Sequence, residues 1–549
     1  MNIKNISTII MGIIWFTSCY DDKSEYATNP IDEVKIEVSD EKTIYIGYLE
    51  ELNIVPTITQ GGKTDVKGLK YEWELSIIAD MNEAEYQSIS TEPELHEIIN
   101  RPIANVPYSL RLTVTDTANK EDLQYQYYWN VYVQSSFLDG LLISETNNDQ
   151  TSDFTLIENK SLTVNYGNKE ERIFRNILEK ANGAPYTGLM AGLRYEMMGY
   201  ANVGTHTNQV WAITNNGCVR FDTESFKENG NLEDGKILTY KPEGLKVYNF
   251  FKAQTFFYMN TNKGIYSFNA INSNIFGWID AAASQYTINN AVVACNTSGD
   301  PYCTGMWLDK DKGKFVSYEG TYASPTYQDS YVANNLFDPC DMKNKSATAG
   351  AMSTDRKTPT FLLKDDTSGE YAIYTFSRYV AAEGYYDDEW NWYETAPEIL
   401  ASAKMKYDIP SSGKALIEKA VSIFFAHKEA IMYIATNDGI YCINFAGSTA
   451  IVETSPKYTP TSGEKITVAK LYQQGQYIND ESSVISDSHV YPELELNNKA
   501  IIIATQKDTY EGKVYVVPMT QIGTGNLDIS KALIYDGFGK ILDVTTIGY

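Results

Sequence analysis

One ten-residue segment, 385–394, combines five aromatic side chains with four carboxylates. Aromatic rings stack on the C–H faces of sugars or on peptide side chains, and carboxylates accept hydrogen bonds from hydroxyl or amine groups. The segment has no regular apolar face, which favours a loop that binds a ligand or docks a partner. The alternative is a long loop held to its domain by buried tryptophans. The candidate ligand-binding residues are Tyr385, Tyr386, Trp390, Trp392 and Tyr393.

The motifs of the common catalytic sites do not occur in the sequence. It has no G-x-S-x-G, H-E-x-x-H or phosphate-binding loop, and no G-x-G-x-x-G that opens a helix. Its four histidines and scattered cysteines have no metal-ligand spacing, although His206 lies in a loop that could line a pocket. We therefore predict no catalytic residue, no metal and no cofactor. One alternative stays open, because two carboxylates held about 5–9 Å apart could cleave a glycosidic bond.

Cys19 follows a segment with the features of a secretory signal. Lys4 supplies a positive charge, residues 9–16 form an apolar run, and two small residues precede the cysteine. The run is too short for a transmembrane helix. Its ending resembles a bacterial lipobox, which implies cleavage before Cys19 and lipidation of its thiol. The acidic pair at 21–22 resembles the export signal of Bacteroidota lipoproteins, which implies an extracellular position on the outer membrane. The alternative is a plain secretory signal ending in cysteine.

Two further modifications are predicted from short motifs. Cys295 and Cys303 flank a loop of seven residues and could close a small disulfide across it. The triplet Asp116-Thr117-Ala118 resembles the acceptor that Bacteroidota use for O-glycosylation, which makes Thr117 a candidate attachment site. The alternative for this triplet is an aspartate that simply ends a strand.

Composition limits the partners of the chain. The 549 residues carry a formal net charge of −26, which repels phosphate backbones and argues against nucleic-acid binding. The same charge argues against electrostatic adhesion to anionic lipid, so acyl chains on Cys19 would be the only membrane link. Hydrophobic residues make up 43% of the chain, enough to build globular domains, and the length indicates more than one.

The N-terminal quarter is predicted to be a signal peptide at 1–18, a lipidated flexible tether at 19–30 and a β-sandwich at 31–135. Short alternating strands with turn residues between them are typical of an Ig-like fold. The Tyr71-Glu72-Trp73 strand, followed about 40 residues later by the strand at 108–116, resembles a PKD domain. The chain departs from that pattern by a long insertion near 82–100, predicted to be partly helical.

From 136 to 549 the sequence repeats one hairpin pattern. Three plain copies, at 210–222, 256–270 and 431–444, consist of an apolar strand, an Asn-x-Gly turn and a second strand. Four looser copies bring the spacing to about 59 residues per unit, which is room for four strands. This is the geometry of a β-propeller, most simply seven-bladed, with six or eight blades or a stacked sandwich as alternatives. A C-terminal strand at 541–544 is the candidate to close the ring.

Together, the lipobox, the PKD-like module and the propeller resemble the PKD-like surface lipoproteins of Bacteroidota. Such proteins are typically encoded beside SusC/SusD-like transporters, which implies a non-catalytic accessory role in capturing a glycan or peptide nutrient. Two alternatives stay open. One is a propeller hydrolase or lyase that acts on extracellular glycan through paired carboxylates, and the other is a pure scaffold without a ligand.

Overall fold

The computed structural model describes most of the chain after the first 31 residues. Cys19, His206, Cys295 and Cys303 lie outside the described residues. By their contacts, the residues fall into two compact units, of which the second runs from Tyr132 to Tyr549 with two short N-terminal segments. The described ranges are 32–38, 41–80, 85–118, 122–137, 139–198, 207–238, 240–253, 256–269, 292–294, 304–317, 326–354, 356–475 and 492–548.

Nine strands form the part of the N-terminal module that the structure describes. Their bounds are β1 Val34–Glu37, β2 Thr43–Gly47, β3 Glu51–Ile54, β4 Thr57–Gln60, β5 Leu69–Ser76, β6 Tyr86–Ser90, β7 Leu95–Ile98, β8 Tyr108–Asp116 and β9 Leu123–Gln134. They form a five-stranded sheet in the order β2-β9-β8-β5-β6 and two strand pairs, β1-β4 and β3-β7. The segment that was predicted to be partly helical contains β6 and β7 instead, so that prediction is wrong.

Two tryptophans form the centre of this module. Trp73 on β5 pairs with Leu112 on β8, as the PKD-like pattern predicts. Its indole is fully buried and stacks on Trp129 of β9 at 5.5 Å between ring centroids, and its Nε1–H donates to the carbonyl oxygen of Glu92 at 2.9 Å. An aromatic pair of this kind fills the space between sheets and contributes beyond its buried area. The Ig-like prediction is confirmed.

Within the described residues, the second unit contains thirty further strands and two short α-helices. The first half comprises β10 Gly140–Thr146, β11 Thr151–Glu158, β12 Arg172–Phe174, α1 Ile177–Asn182, β13 Tyr186–Thr187, β14 Ala191–Met198, β15 Thr207–Thr214, β16 Gly217–Asp222, β17 Glu228–Asn231, β18 Val247–Ala253, β19 Phe256–Thr261, β20 Gly264–Asn269, β21 Met306–Asp309, β22 Lys314–Ser317 and β23 Thr326–Tyr327. The second half comprises β24 Lys345–Met352, β25 Pro359–Asp365, β26 Tyr371–Ser377, β27 Glu383–Tyr386, β28 Trp392–Ala396, β29 Ser402–Asp408, α2 Ser411–Ile417, β30 Ala420–Phe425, β31 Ile431–Thr436, β32 Gly439–Asn444, β33 Ile451–Tyr458, β34 Lys465–Leu471, β35 Ala500–Gln506, β36 Gly512–Thr520, β37 Asn526–Leu527, β38 Leu533–Phe538 and β39 Lys540–Ile547.

These strands form seven successive antiparallel blades within the described part of the chain. The blades are β39-β10-β11-β12, β14-β15-β16-β17, β18-β19-β20, β21-β22-β23, β24-β25-β26-β29, β30-β31-β32-β33 and β34-β35-β36-β37. The innermost strands contact one another in sequence, from β24 to β30, β34, β39, β14 and β18. Buried apolar clusters lie between neighbouring blades. The β-propeller prediction is confirmed.

The C-terminal strand closes the ring. β39 pairs with β10 over its length, from Gly140 opposite Ile547 to Thr146 opposite Lys540. The first blade is therefore built from both ends of the propeller sequence, as was predicted. The three plain hairpins form the second and third strands of their blades. In the first of them, Gly217 takes a positive φ of 128° that a side chain would disfavour.

The buried carboxylate of Glu464 forms hydrogen bonds to strands β35 and β36 of the seventh blade. Glu464 accepts hydrogen bonds from Lys513 Nζ at 2.8 Å, Thr505 Oγ1 at 3.0 Å and the Tyr515 hydroxyl at 3.2 Å. Burial opposes the charge, but the hydrogen bonds and the lysine outweigh it and hold the pKa of Glu464 below its ordinary value of 4.5. A lowered pKa means that this contribution to stability is present above pH 4.5 and is lost as pH falls through the folded-state value.

We expect Glu464→Gln to lower the free energy of unfolding by about 1–3 kcal/mol at neutral pH. The difference from the wild type should shrink as the pH falls below 4.5, because the wild-type carboxyl then loses its charge as well. Urea unfolding between about pH 7 and pH 3 measures this. Glu511→Gln, which removes an exposed carboxylate 3.6 Å from Lys507, is the control. A pH-independent difference would contradict the assignment.

Candidate binding arm

The aromatic segment forms the outer part of an insertion in the fifth blade. The chain leaves β26 at Ser377 and returns to β29 at Ser402, and these two residues pair with each other. Between them, Val380 bridges to Ile399, and β27 pairs with β28. Residues 378–401 therefore form an antiparallel arm, called here the binding arm. At about 3.3 Å per residue, its tip extends up to roughly 30 Å beyond the blade.

The root of the arm is fixed to the propeller. The Arg378 backbone N–H donates to the Lys357 carbonyl at 2.9 Å, and its Nε–H donates to the Arg356 carbonyl at 2.6 Å. On the returning strand, the Ala401 carbonyl accepts from the Val332 N–H at 2.7 Å. Arg378 is buried, so its guanidinium group lies at the root and places no positive charge at the tip. The arm is thus held by hydrogen bonds on both strands.

The aromatic side chains lie on both faces of the arm. Tyr385 pairs with Tyr393, and Tyr386 pairs with Trp392, and successive side chains of a strand point to opposite faces. On one face the two tyrosine rings stack at 5.6 Å between centroids, with an interplanar angle of 18°. On the other face Tyr386 lies 5.0 Å from Trp392 and 6.0 Å from Trp390. The arm therefore carries two aromatic clusters instead of one.

All five candidate residues are exposed. Their exposed fractions are 59% for Tyr385, 59% for Tyr386, 80% for Trp390, 45% for Trp392 and 49% for Tyr393. The alternative of a loop held down by buried tryptophans is therefore wrong for this segment. Large exposed aromatic patches mark interaction surfaces more often than isolated exposed residues do. The role of the five residues in binding a ligand stays a prediction.

The tip of the arm is an ordered turn. One oxygen of Asp387 accepts from the backbone N–H groups of Glu389 and Asn391, both at 2.9 Å, and the other accepts from Asn391 Nδ2 at 3.1 Å. These hydrogen bonds from Asn391 and Glu389 lower the pKa of Asp387 against a smaller effect of desolvation. Trp390 follows with φ of 65°, a conformation that favours glycine or asparagine. The turn therefore presents a tryptophan at a strained, fully accessible position.

Gly384 provides the space in which Trp392 lies. A Cβ at this position would lie 2.4 Å from the Tyr393 carbonyl oxygen and 2.5 Å from Cζ2 of Trp392. We expect Gly384→Ala to displace the indole and to speed amide exchange in the arm by about tenfold or more, while global unfolding is unchanged. Gly447→Ala, where an added Cβ meets nothing within 4 Å, is the control. Equal exchange rates in the two variants would show that the indole does not pack there.

Of the other candidate site residues, Thr117 lies in the N-terminal module directly after β8. Thr117 is exposed, and its hydroxyl donates to the Gly68 carbonyl at 2.7 Å. Asp116 is buried and accepts from Gln60 Nε2 at 2.7 Å and from the Ala118 N–H at 3.0 Å. The aspartate thus has a structural role at the end of β8, as the alternative to the glycosylation motif supposes. Glycosylation of Thr117 stays a prediction.

The propeller also contains cavities that the sequence did not predict. One of about 330 Å³ is lined by Thr358, His427 and Glu429, and Thr358 Oγ1 accepts from Lys404 Nζ at 2.6 Å beside the root of the arm. Burial lowers the pKa of His427. A larger cavity, of about 480 Å³, is lined by three lysines, two carboxylates and several apolar side chains, among them Lys160, Lys499, Lys531, Glu495 and Asp528. Each cavity combines residues far apart in sequence, so no local pattern could have indicated it.

The carboxyl groups of Asp153 and Glu224 have raised pKa values. Burial raises the pKa of Asp153 to about 6, although three backbone N–H groups donate to it. Burial also raises the pKa of Glu224, with a smaller effect from Asp222. Neither residue lines the two cavities above, nor those of about 440 Å³ and 140 Å³ elsewhere in the propeller. Among the described residues, no group of three or more metal-binding side chains comes together.

One family model matches the first part of the chain. The model of the PKD-like family matches residues 19–189. Comparison with curated proteins gave no match. Among the described residues, no helix has the length and apolar character needed to cross a membrane.

Several solved structures are similar at low identity. A quinonprotein alcohol dehydrogenase-like protein from Bacteroides thetaiotaomicron shares 12% identity over 93% of this chain and 96% of its own, with a TM-score of 0.39. Apo AztD from Citrobacter koseri shares 10% identity over 88% of this chain and 99% of its own, with a TM-score of 0.34. Hsv2 from Kluyvelomyces marxianus shares 7% identity over 71% and 92%, with a TM-score of 0.30.

Proposed function

We propose that this protein is a non-catalytic binding protein of the cell surface. Lipidated Cys19 would hold it on the extracellular side of the outer membrane, and the binding arm would capture an oligomer of sugars or amino acids. In this role it would be an accessory component of a SusC/SusD-like uptake system. The PKD-like match and the propeller fold are consistent with a surface binding or accessory protein. The observation that carries the proposal is the exposure of all five arm aromatics.

The energetic argument concerns what these rings gain from a ligand. Exposed aromatic side chains leave apolar area in contact with water, and covering that area is favourable by about 25 cal/mol per Å². Tryptophan and tyrosine are enriched among the residues that dominate binding interfaces. The root and the tip turn are held by hydrogen bonds. Ligand binding therefore costs little conformational entropy of the arm backbone.

The distribution of carboxylates supports the non-catalytic part of the proposal. A glycosidase needs two carboxyls facing one scissile bond, with the acid partner at a raised pKa. The cavity of about 440 Å³ contains Glu145, Glu511 and Asp536 in its lining. Of these, Glu145 accepts one hydrogen bond on each oxygen, from Thr155 Oγ1 and from the Gly539 N–H, both at 2.6 Å, which gives this carboxylate a structural role in the blade.

The proposal is tested by exposing the purified full-length protein to arrays of immobilised oligosaccharides and peptides, followed by mass spectrometry of the bound compounds. We expect binding to at least one class and no chemical change in the bound molecules. Measurable turnover would contradict the non-catalytic proposal. Binding that survives deletion of residues 384–394 would contradict the role of the arm.

The anchor is tested separately in the native host. Wild-type protein should incorporate a labelled fatty acid and fractionate with the outer membrane, whereas Cys19→Ala should do neither. Protease added to intact cells should digest the wild-type protein if it faces the medium. Resistance to protease in intact cells would contradict the extracellular position, and labelling of the Cys19→Ala variant would contradict the anchor.

A further inference from the structure

We propose that the ligand of the binding arm is an extended basic peptide that adds to the arm as a β-strand. This inference rests on the proposed function of the arm and names its ligand class. Three features of the arm carry it: its charge, its open strand edges and the division of its aromatic rings between two faces.

The arm is a concentrated negative surface without its own counter-charge. Residues 379–400 contain six carboxylates and neither lysine nor arginine. Asp388, Glu389 and Glu394 are exposed, and their carboxylates form no ion pair within the described residues. The nearest cation along the chain, Arg378, is buried and donates to backbone carbonyls. A partner that supplies ammonium or guanidinium groups would complement this surface, and a polyanionic glycan would be repelled by it.

The backbone of the arm offers a place for an added strand. β27 and β28 pair only with each other in the described part of the chain, so the outer edge of each strand has unpaired N–H and C=O groups. An extended peptide can pair with such an edge through main-chain hydrogen bonds, with specificity supplied by its side chains. Folded chains often protect exposed edges with charged side chains, and the charges along this arm are carboxylates, which a basic peptide would neutralise.

The two aromatic faces match the geometry of a strand. Side chains of an added strand point alternately to the two faces of the arm. The side chains on one face would contact Tyr385 and Tyr393. Those on the other face would contact Tyr386, Trp390 and Trp392. A lysine or arginine cation over a tryptophan or tyrosine ring gains about 0.5–1 kcal/mol at exposed sites. A sugar ring would stack its C–H face on one aromatic cluster at a time, whereas a strand presents side chains to both, so the two-faced arrangement favours a peptide.

The test is a titration of the purified full-length protein with three fluorescent probes. They are an eight-residue peptide of alternating lysine and threonine, the same peptide with glutamate for lysine, and cellohexaose. We expect the lysine peptide alone to bind, and its affinity to fall at least about tenfold between 50 and 300 mM NaCl. The triple variant Asp388→Asn, Glu389→Gln and Glu394→Gln should lose a similar factor. The matched control is Glu72→Gln, Asp311→Asn and Glu243→Gln, which removes three exposed carboxylates elsewhere.

The outcomes separate this inference from the proposed function. If cellohexaose binds, and the binding is lost in Trp390→Ala but retained in the triple variant, the arm is a binding surface and the basic-peptide inference is overturned. No binding of the lysine peptide at about 1 mM also overturns the inference. Binding of the lysine peptide that is equal in the triple variant and its control would place the peptide elsewhere on this acidic chain, and would contradict the role of the arm carboxylates.

Discussion

The Val544→Asp variant is expected to lose about 3–5 kcal/mol of unfolding free energy, a large share of the stability of an ordinary domain. Val544 is 0% exposed and belongs to the apolar cluster between the seventh and first blades, with Val514, Val516 and Ile541. It lies on β39, the strand that pairs with β10 and closes the ring. A carboxylate there would be placed among buried apolar side chains, and it would weaken the contact that joins the two ends of the propeller.

The neighbouring substitution Thr545→Asp is the control, because Thr545 is only half-buried on the same strand. Urea unfolding monitored by circular dichroism should show a large loss for Val544→Asp and a small one for Thr545→Asp. If the two variants lost the same unfolding free energy, the effect of a carboxylate on β39 would not depend on how deeply its position is buried. That result would contradict the packing described for the closing strand.

The second large effect is expected on binding. The double variant Trp390→Ala and Trp392→Ala should weaken binding of the best array ligand by at least about 100-fold, because each central aromatic of an interface typically contributes 2 kcal/mol or more. The melting temperature should stay the same, since both indoles are exposed and removing them leaves no cavity in a core.

Tyr240→Ala is the matched control for this variant, because Tyr240 is 76% exposed and lies in the propeller sequence outside the arm. We expect it to bind the ligand with wild-type affinity. If Tyr240→Ala and the double tryptophan variant lost affinity equally, binding would depend on exposed aromatic surface in general. A double variant with unchanged affinity would contradict the role of the two tryptophans.

The blades could be predicted from the sequence because their signal is local. An Asn-x-Gly turn between two alternating strands fixes a hairpin within about fifteen residues, and Gly217 and Gly264 take the positive φ that such turns need. The PKD-like pair of strands was recognisable for a similar reason, because Trp73 and Leu112 alternate with polar residues. The described residues 85–100 were predicted wrongly as partly helical, because β7 pairs with β3, which lies much earlier in the sequence, and β6 pairs with the preceding strand β5.

The candidate site was predictable in composition but not in geometry. The sequence identified the aromatic and acidic residues of 385–394, and left open whether the tryptophans were buried. Their exposure follows from the pairing of the flanking strands, from Val380 opposite Ile399 out to Tyr386 opposite Trp392. Contacts between blades could not be predicted from the sequence. One example is the hydrogen bond of 2.6 Å that Asn159 Nδ2 donates to the Tyr535 hydroxyl, because the two residues are 376 positions apart.

The most direct measurement of the central claim is amide hydrogen exchange of the full-length protein with and without its array ligand. If the binding arm is the binding surface, exchange should slow at residues 384–394 and at few other places. Protection confined to the lining of the cavity beside His427, with the arm amides unchanged, would contradict it.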